Sequence, residues 1–419
     1  MTRTERQQEA VRKWVNAKGK GSIEAATGFG KTRVGLTAIQ AVLKKYPSLR
    51  ILVVVPTTLL KNQWQEQIDE WGFSFNAEVQ VINTVIKHNW TCDFLILDEE
   101  HRYSSDDFRT VFDKVKYRII LGLTATFERL DGKHIIMSKY CPIVDSISIF
   151  ECQANGWVSE YREYLVLIDV DNINEYKELN KEWIQHYEFF GFDFNKAMIC
   201  SGPEGWKYKL QLRDEMYRGN DESKKKEILN AISYHSAGFM RTMTKRKAFI
   251  NNHPKKIEIA KKIIEARSDK KIITFSNNVK MAEAIQNGQN VYTGKVSKKR
   301  SATMIEEFNL APTGVLNTCA KANEGLDIKG LSVAIILGTD SSETKARQRR
   351  GRAVRKEENK IAEIFYIVIK DTVEEKWVKN NHKTDLNYLT IDEKGLEQVL
   401  RGEQPEPYKA KLGEIMFRF

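Results

Sequence analysis

The sequence predicts an α/β fold of two tandem domains, each a parallel sheet covered by helices, with a mainly helical insertion and a short helical C-terminal tail. Three observations predict it. Short apolar runs alternate with amphipathic segments over residues 20–150 and again after residue 255, the pattern of parallel strands buried on both faces beneath their covering helices. From about 172 to 250 the strand-like runs vanish, and aromatic residues mix with dense charge. The 419 residues suffice for two domains with separate cores. The expected divisions are 1–160, 161–370 carrying the insertion at about 172–250, and a tail at 371–419.

Each element follows from its local pattern. Apolar runs at 51–55, 94–97 and 118–123 read as strands, and they end directly at Pro56, Asp98 and Thr124. Open α/β sheets bind their ligands outside the carboxyl ends of strands. Within the insertion, Tyr176, Trp183, Tyr187, Phe189, Phe190 and Trp206 are expected to pack between helices rather than stack on bases. The layered pattern resumes with a helix at 255–266 and strands at 271–275, 314–317, 333–337 and 364–368. A helix containing 373–377 opens the tail, whose remainder reads as polar and without a defined element.

Composition narrows the function classes. Hydrophobic residues make up 41% of the chain, and the five cysteines show no C-x-x-C pair and no histidine at zinc-ligand spacing. Five reduced, packed thiols are expected. The first residues lack the apolar stretch of a signal peptide, and no apolar run approaches the ~20 residues of a membrane span. An intracellular protein is expected, in cytoplasm or nucleoid or as a viral protein in its host, with no membrane partner. A net charge of +11 suits a polyanion.

Motifs at the strand ends carry the chemistry. Ala25 to Thr32 has phosphate-loop spacing with alanine at the first glycine position. Gly28 and Gly30 permit a tight loop, so that backbone N–H groups from Thr27 through Phe29 and the following helix N-terminus can face phosphates. Lys31 adds a point charge near the outer phosphates, and the Thr32 hydroxyl can ligate magnesium. At Asp98-Glu99, two adjacent carboxylates at the end of an apolar strand need a cation. Asp98 is assigned to magnesium through its water shell, and Glu99 to orienting and deprotonating the attacking water. His101 stands beside them as a coupling residue that can meet Gln348, a further member of the catalytic set. Arg352 and Arg355 share a helical face by their i, i+3 spacing. Two guanidiniums there call for an anion, and a γ-phosphate held by the other domain would serve.

Together these residues resemble the superfamily 2 helicases, in the broad DEAD/DEAH-like group, through Asp98-Glu99-Glu100-His101. The likeness extends to 53–57 with Leu60 and Gln63-Trp64, to 122–126 followed by Arg129-Leu130-Asp131-Gly132, and to Glu324-Gly325-Leu326-Asp327. These resemble the branch containing XPB, the phage UvsW type and the motor parts of restriction enzymes. Phe127 departs from the group's usual T-A-T-P sequence. The resemblance implies two RecA-like domains using ATP and Mg2+, with Gln7 reading adenine and Gln8 as its competitor. It further implies that Gly325 and Asp327 complete the nucleotide site, and that Thr124 and Thr126 link ATP state to domain movement. Pro56, Thr57, Thr84, Ser276 and Thr318 would touch the backbone of one nucleic-acid strand. The expected activity is ATP-dependent unwinding or remodelling of single-stranded, forked or branched DNA by a monomer, including branch migration. A double-strand DNA translocase of a restriction or defence complex, an RNA helicase and a nucleotide-gated clamp are the alternatives, and the insertion is the candidate surface for a protein partner.

Overall fold

The computed structural model describes residues 1–125, 134–286, 290–319, 328–339, 360–381 and 388–408. Its first part holds strands β1 (Lys20–Ala25), β2 (Ile51–Val55), β3 (Ala77–Val81), β4 (Trp90–Thr91), β5 (Phe94–Asp98), β6 (Val115–Lys116), β7 (Ile119–Thr124) and β8 (Ile143–Ile147). β4 and β6 form a short ribbon; the other six make a parallel sheet in the order β3-β2-β5-β7-β1-β8. Buried on both faces, β2 and β5 are apolar at almost every position, as such strands must be. The register aligns Glu24 with Thr124 and Asp98 with Leu123. Three adjacent strands therefore deliver Ala25, Asp98 and Thr124 to one edge.

Local chemistry sets the helices that frame this edge. Helix α1 (Arg3–Asn16) starts from a reciprocal cap in which Thr2 and Glu5 satisfy each other's backbone N–H, and it buries Gln7, Ala10, Val11 and Trp14. Helix α2 (Lys31–Lys45) leaves the phosphate loop, and α3 (Thr58–Glu70) is capped by the Thr57 hydroxyl. Gly35 lets α2 approach α3, since a Cβ there would collide with the Trp64 ring. Trp14 stacks on Phe94 at 5.1 Å and donates its indole N–H to the Ile120 carbonyl at 2.8 Å.

The second sheet contains β9 (Glu160–Ile168), β10 (Lys271–Ser276), β11 (Val291–Tyr292), β12 (Gly314–Cys319), β13 (Leu331–Ile336), β14 (Ile361–Ile369) and β15 (Tyr388–Ile391). All pair parallel in the order β11-β12-β10-β13-β14-β9-β15. Three of these strands lie where sequence pattern gave no signal of a sheet, among them the two-residue β11. β9 precedes the insertion yet pairs with β14 along nine residues, and β15 lies within the tail expected to be helical. Helices Val373–Asn381 and Glu393–Leu400 flank β15. The polar tail thus supplies a sheet edge because Ile391, Leu396 and Val399 bury against the second core.

Between β9 and β10 the insertion is helical: Ile173–Phe189, Phe194–Ser201, Gly205–Met216 and the 31-residue Glu222–Asn252. Trp183, Tyr187 and Phe194 pack around Phe239, which is the expected helix packing. Trp206 departs from it and is 59% exposed. All five cysteines are buried and unlinked. Among the described residues no helix is long and apolar enough to cross a membrane, and no cluster of histidine, cysteine and carboxylate could hold a metal ion.

Candidate active site

The loop between β1 and α2 is built to expose backbone amides. Gly28 and Gly30 take φ values of 94° and 96°, which residues with a Cβ rarely adopt. Gly30 caps α2 without any side-chain hydrogen bond, so the first N–H groups of the helix keep their capacity for an anion. The loop is braced from behind: the Arg3 guanidinium donates to the carbonyls of Phe29 and Gly28 at 2.8 and 2.7 Å, and Gln7 Nε2 donates to Phe29 at 2.9 Å. Phe29 is buried against the Trp157 ring at 5.6 Å. Gln7 Oε1 and Thr27 Oγ1 are buried polar atoms without a hydrogen-bond partner. Gln8, the alternative to Gln7, is exposed.

Across the sheet edge lies the acidic pair. Asp98 is buried, with Oδ2 accepting from Trp64 Nε1 at 2.8 Å and Oδ1 from the Glu99 backbone N–H at 3.0 Å. Burial, followed by repulsion from Glu99, pushes its carboxyl up to about 6. Such a group calls for a cation, and each oxygen retains a lone pair beyond the one it has engaged. The carboxylate oxygens of Asp98 and the hydroxyl of Thr32 are hard donors of the kind magnesium takes.

Glu99 leaves β5 in the left-handed conformation, φ 52° and ψ 50°, which is strained for a residue with a side chain. That turn aims its carboxylate between two other motifs. Oε1 lies 3.9 Å from Lys31 Nζ, and Oε2 lies 3.5 Å from His101 Nδ1. His101 Nδ1 is also 3.2 Å from the Thr124 hydroxyl at the end of β7. A polar chain therefore runs from Lys31 through Glu99 and His101 to Thr124. His101 is buried within it rather than on the surface. Glu100 turns inward instead, fully buried against Gly122 and Ser22, and burial pushes its carboxyl up to about 8.

The expected strand-contacting residues divide. Thr84 is exposed, and Thr57 is partly exposed while capping α3. Pro56 and Ser276 are buried, and Thr318 is buried with its hydroxyl committed to the Thr274 carbonyl. Thr126, Gly325, Asp327, Gln348, Arg352 and Arg355 lie outside the described residues. Sequence reading assigned no role to Arg3 or Trp64. The signal for Arg3 was present, since it shares a helical face with Gln7 at i, i+4; nothing local joins Trp64 to Asp98.

The chain matches the family described as Type III restriction enzyme, res subunit, over residues 1–91 and 82–129, and the Helicase conserved C-terminal domain over 255–357. It is 27% identical over 389 residues to the DNA 3'-5' translocase XPB2 of Sulfurisphaera tokodaii, covering 88% of this chain and 82% of that one. A Methanocaldococcus jannaschii relative named as an ATP-dependent RNA helicase is 25% identical over 85% of this chain, which spans 56% of it. The fold resembles the Pyrococcus furiosus Hef helicase domain (TM-score 0.51, 17% identity, 88% and 96% of the two chains). It also resembles S. cerevisiae Dbp5 bound to RNA and ADP BeF3 (TM-score 0.59, 13% identity, 94% and 91%).

Proposed function

The chain belongs to the superfamily 2 helicases of the XPB and restriction-enzyme type and is an ATP-dependent helicase enzyme; from that premise we propose that it acts on DNA, unwinding or remodelling forked and branched substrates. The polar chain from Lys31 through Glu99 and His101 to Thr124 is the observation that carries the catalytic part.

In this reading the amides at the start of α2 and Lys31 hold the phosphates, and the orphaned Gln7 Oε1 accepts from the adenine amine. Thr32 and Asp98 would hold magnesium, which supplies charge neutralisation at the terminal phosphates. Glu99 takes the proton of the attacking water, with Lys31 Nζ 3.9 Å from its carboxylate. His101 and Thr124 carry the state of the Glu99 carboxylate to the end of β7. Arg352 and Arg355 complete the site with guanidiniums for charge developing on the γ-phosphate. Grip on nucleic acid comes from backbone contacts, including Thr57 and Thr84, and so carries no sequence choice.

Similarity to a DNA translocase over most of the chain supports DNA as the track. The same name favours a second reading, movement along duplex without strand separation, and the M. jannaschii relative favours RNA. ATP hydrolysis measured with single-stranded DNA, forked DNA, duplex and RNA, against Lys31→Ala as blank, tests the choice. Stimulation by forked and single-stranded DNA with strand displacement is the expected result; stimulation by duplex alone or RNA alone replaces it with the corresponding alternative.

A further inference from the structure

On the edge of the first sheet opposite the phosphate loop, α1 and α2 both end beside an open cavity of about 560 Å³. The six residues of β1 separate the two edges, a distance of roughly 17 Å. The cavity has an apolar floor, formed by Val42, Leu49, Ile119 and the edge of Trp14. Two of its rim residues are apolar and half exposed, Val15 at 50% and Tyr46 at 52%. The rest of the rim is cationic: Lys18, Lys45 and Arg118, against the single carboxylate of Asp93. Asp93 is already engaged, accepting the Arg50 backbone N–H at 3.0 Å and lying 3.6 Å from Arg118 Nε. Neither Lys18 nor Lys45 has an acidic partner among the described residues. Lys45 Nζ instead lies over the Tyr46 ring, 5.3 Å from its centre.

We propose that this cavity is a docking site for a segment of a partner protein, an apolar side chain flanked by acidic residues. Charge complementarity selects the occupant: the apolar anchor fills the cavity while carboxylates reach Lys18 and Lys45, which have no acidic partner among the described residues. A nucleic-acid strand is the poorer fit. Trp14 is buried and already stacked on Phe94, so it offers no ring face to a base, and the one exposed ring, Tyr46, is covered by Lys45. The site lies on the first domain, apart from the helical insertion that sequence alone suggested for partners, and an occupant there leaves the phosphate loop open.

The test uses the whole chain and a set of short fluorescent peptides, each with a central leucine, methionine, phenylalanine or tryptophan flanked by glutamates. A parallel set replaces the glutamates by glutamines. Saturable binding of at least one acidic peptide is expected, weakened about tenfold or more by Ala41→Trp, which fills the cavity from an exposed helical position, and by Lys45→Glu. The glutamine peptides should bind at least about tenfold more weakly than their acidic counterparts. Unstimulated ATP hydrolysis, unchanged in both variants, reports that each is folded; Lys18→Glu replaces either variant that is not. Three results overturn the proposal: no acidic peptide saturating below about 1 mM, binding indifferent to every variant, or an equal loss of single-stranded DNA binding in the same variants, which would make the cavity a nucleic-acid contact.

Discussion

Glu99 shows how much of the site rests on one backbone angle. Its left-handed turn costs on the order of 1–3 kcal/mol, and it brings the carboxylate between Lys31 and His101. Replacing it by glutamine should lower kcat for ATP by about 100-fold or more with nucleotide affinity retained, as read by paired turnover and fluorescent-nucleotide titrations. As the proposed magnesium ligand, Asp98 should set the acid limit of activity, its carboxyl being pushed up to about 6 in the metal-free site. Trp64→Phe removes a donor that stabilises the ionised form, so the acid limb of the pH–kcat profile should move to higher pH. Glu100 works in the opposite sense, through stability. Its folded value of about 8 lies above that of the unfolded chain, so the folded state binds the proton more tightly. Stability is therefore lost as pH rises between the two values. Thermal melts of Glu100→Gln without metal should show a higher midpoint than the parent at about pH 9 and little difference at about pH 4. Asp98 and Glu99 were legible from a motif four residues long. The inward turn of Glu100 was not, because it depends on the space left by Gly122 on another strand.

At the scale of elements, the second sheet is tied together by a fully buried ion pair. Lys256, in the helix Pro254–Ala266, meets both oxygens of Glu374 at 2.6 and 2.7 Å and the Leu337 carbonyl beyond β13 at 2.9 Å. Thr339 and the Ile369 N–H complete the carboxylate's shell. Burial lowers the lysine and raises the glutamate, so each group depends on the other to stay charged. Lys256→Met alone should cost about 3–5 kcal/mol by leaving a buried carboxylate, and pairing it with Glu374→Leu should restore most of that; denaturant melts of the two variants decide it. The insertion is fixed to the same domain by side-chain amides. Asn277 donates to Asn251 at 2.8 Å and Asn278 to Asn252 at 2.7 Å, joining the end of the long helix to the loop after β10. Neither the ion pair nor the amide clamp has a local signature. Strand β15 also escaped sequence reading, for three partly buried residues and one buried one carry too little alternation to stand out from a polar tail.

For the whole molecule, the net charge of +11 and the proposed grip through phosphate contacts imply steep salt dependence. Affinity for single-stranded DNA should fall at least about tenfold between roughly 50 and 200 mM salt, with little dependence on base sequence; anisotropy titrations on several oligonucleotides check both. Sequence by itself determined the layered class, the helical insertion, the glycine loop between β1 and α2 and the carboxylates at the end of β5. Each rests on short-range chemistry: alternation of apolar runs, glycines where positive φ is needed, and carboxylates at a strand end. Only the tertiary structure decided that Asp98 is held by Trp64, that Arg3 and Gln7 brace the loop, that Ser276 and Thr318 are buried, and that the strand before the insertion and the strand within the tail join one sheet. Parallel pairing and burial bring together residues distant along the chain, and in this sequence neither left a local periodicity from which those contacts could be read.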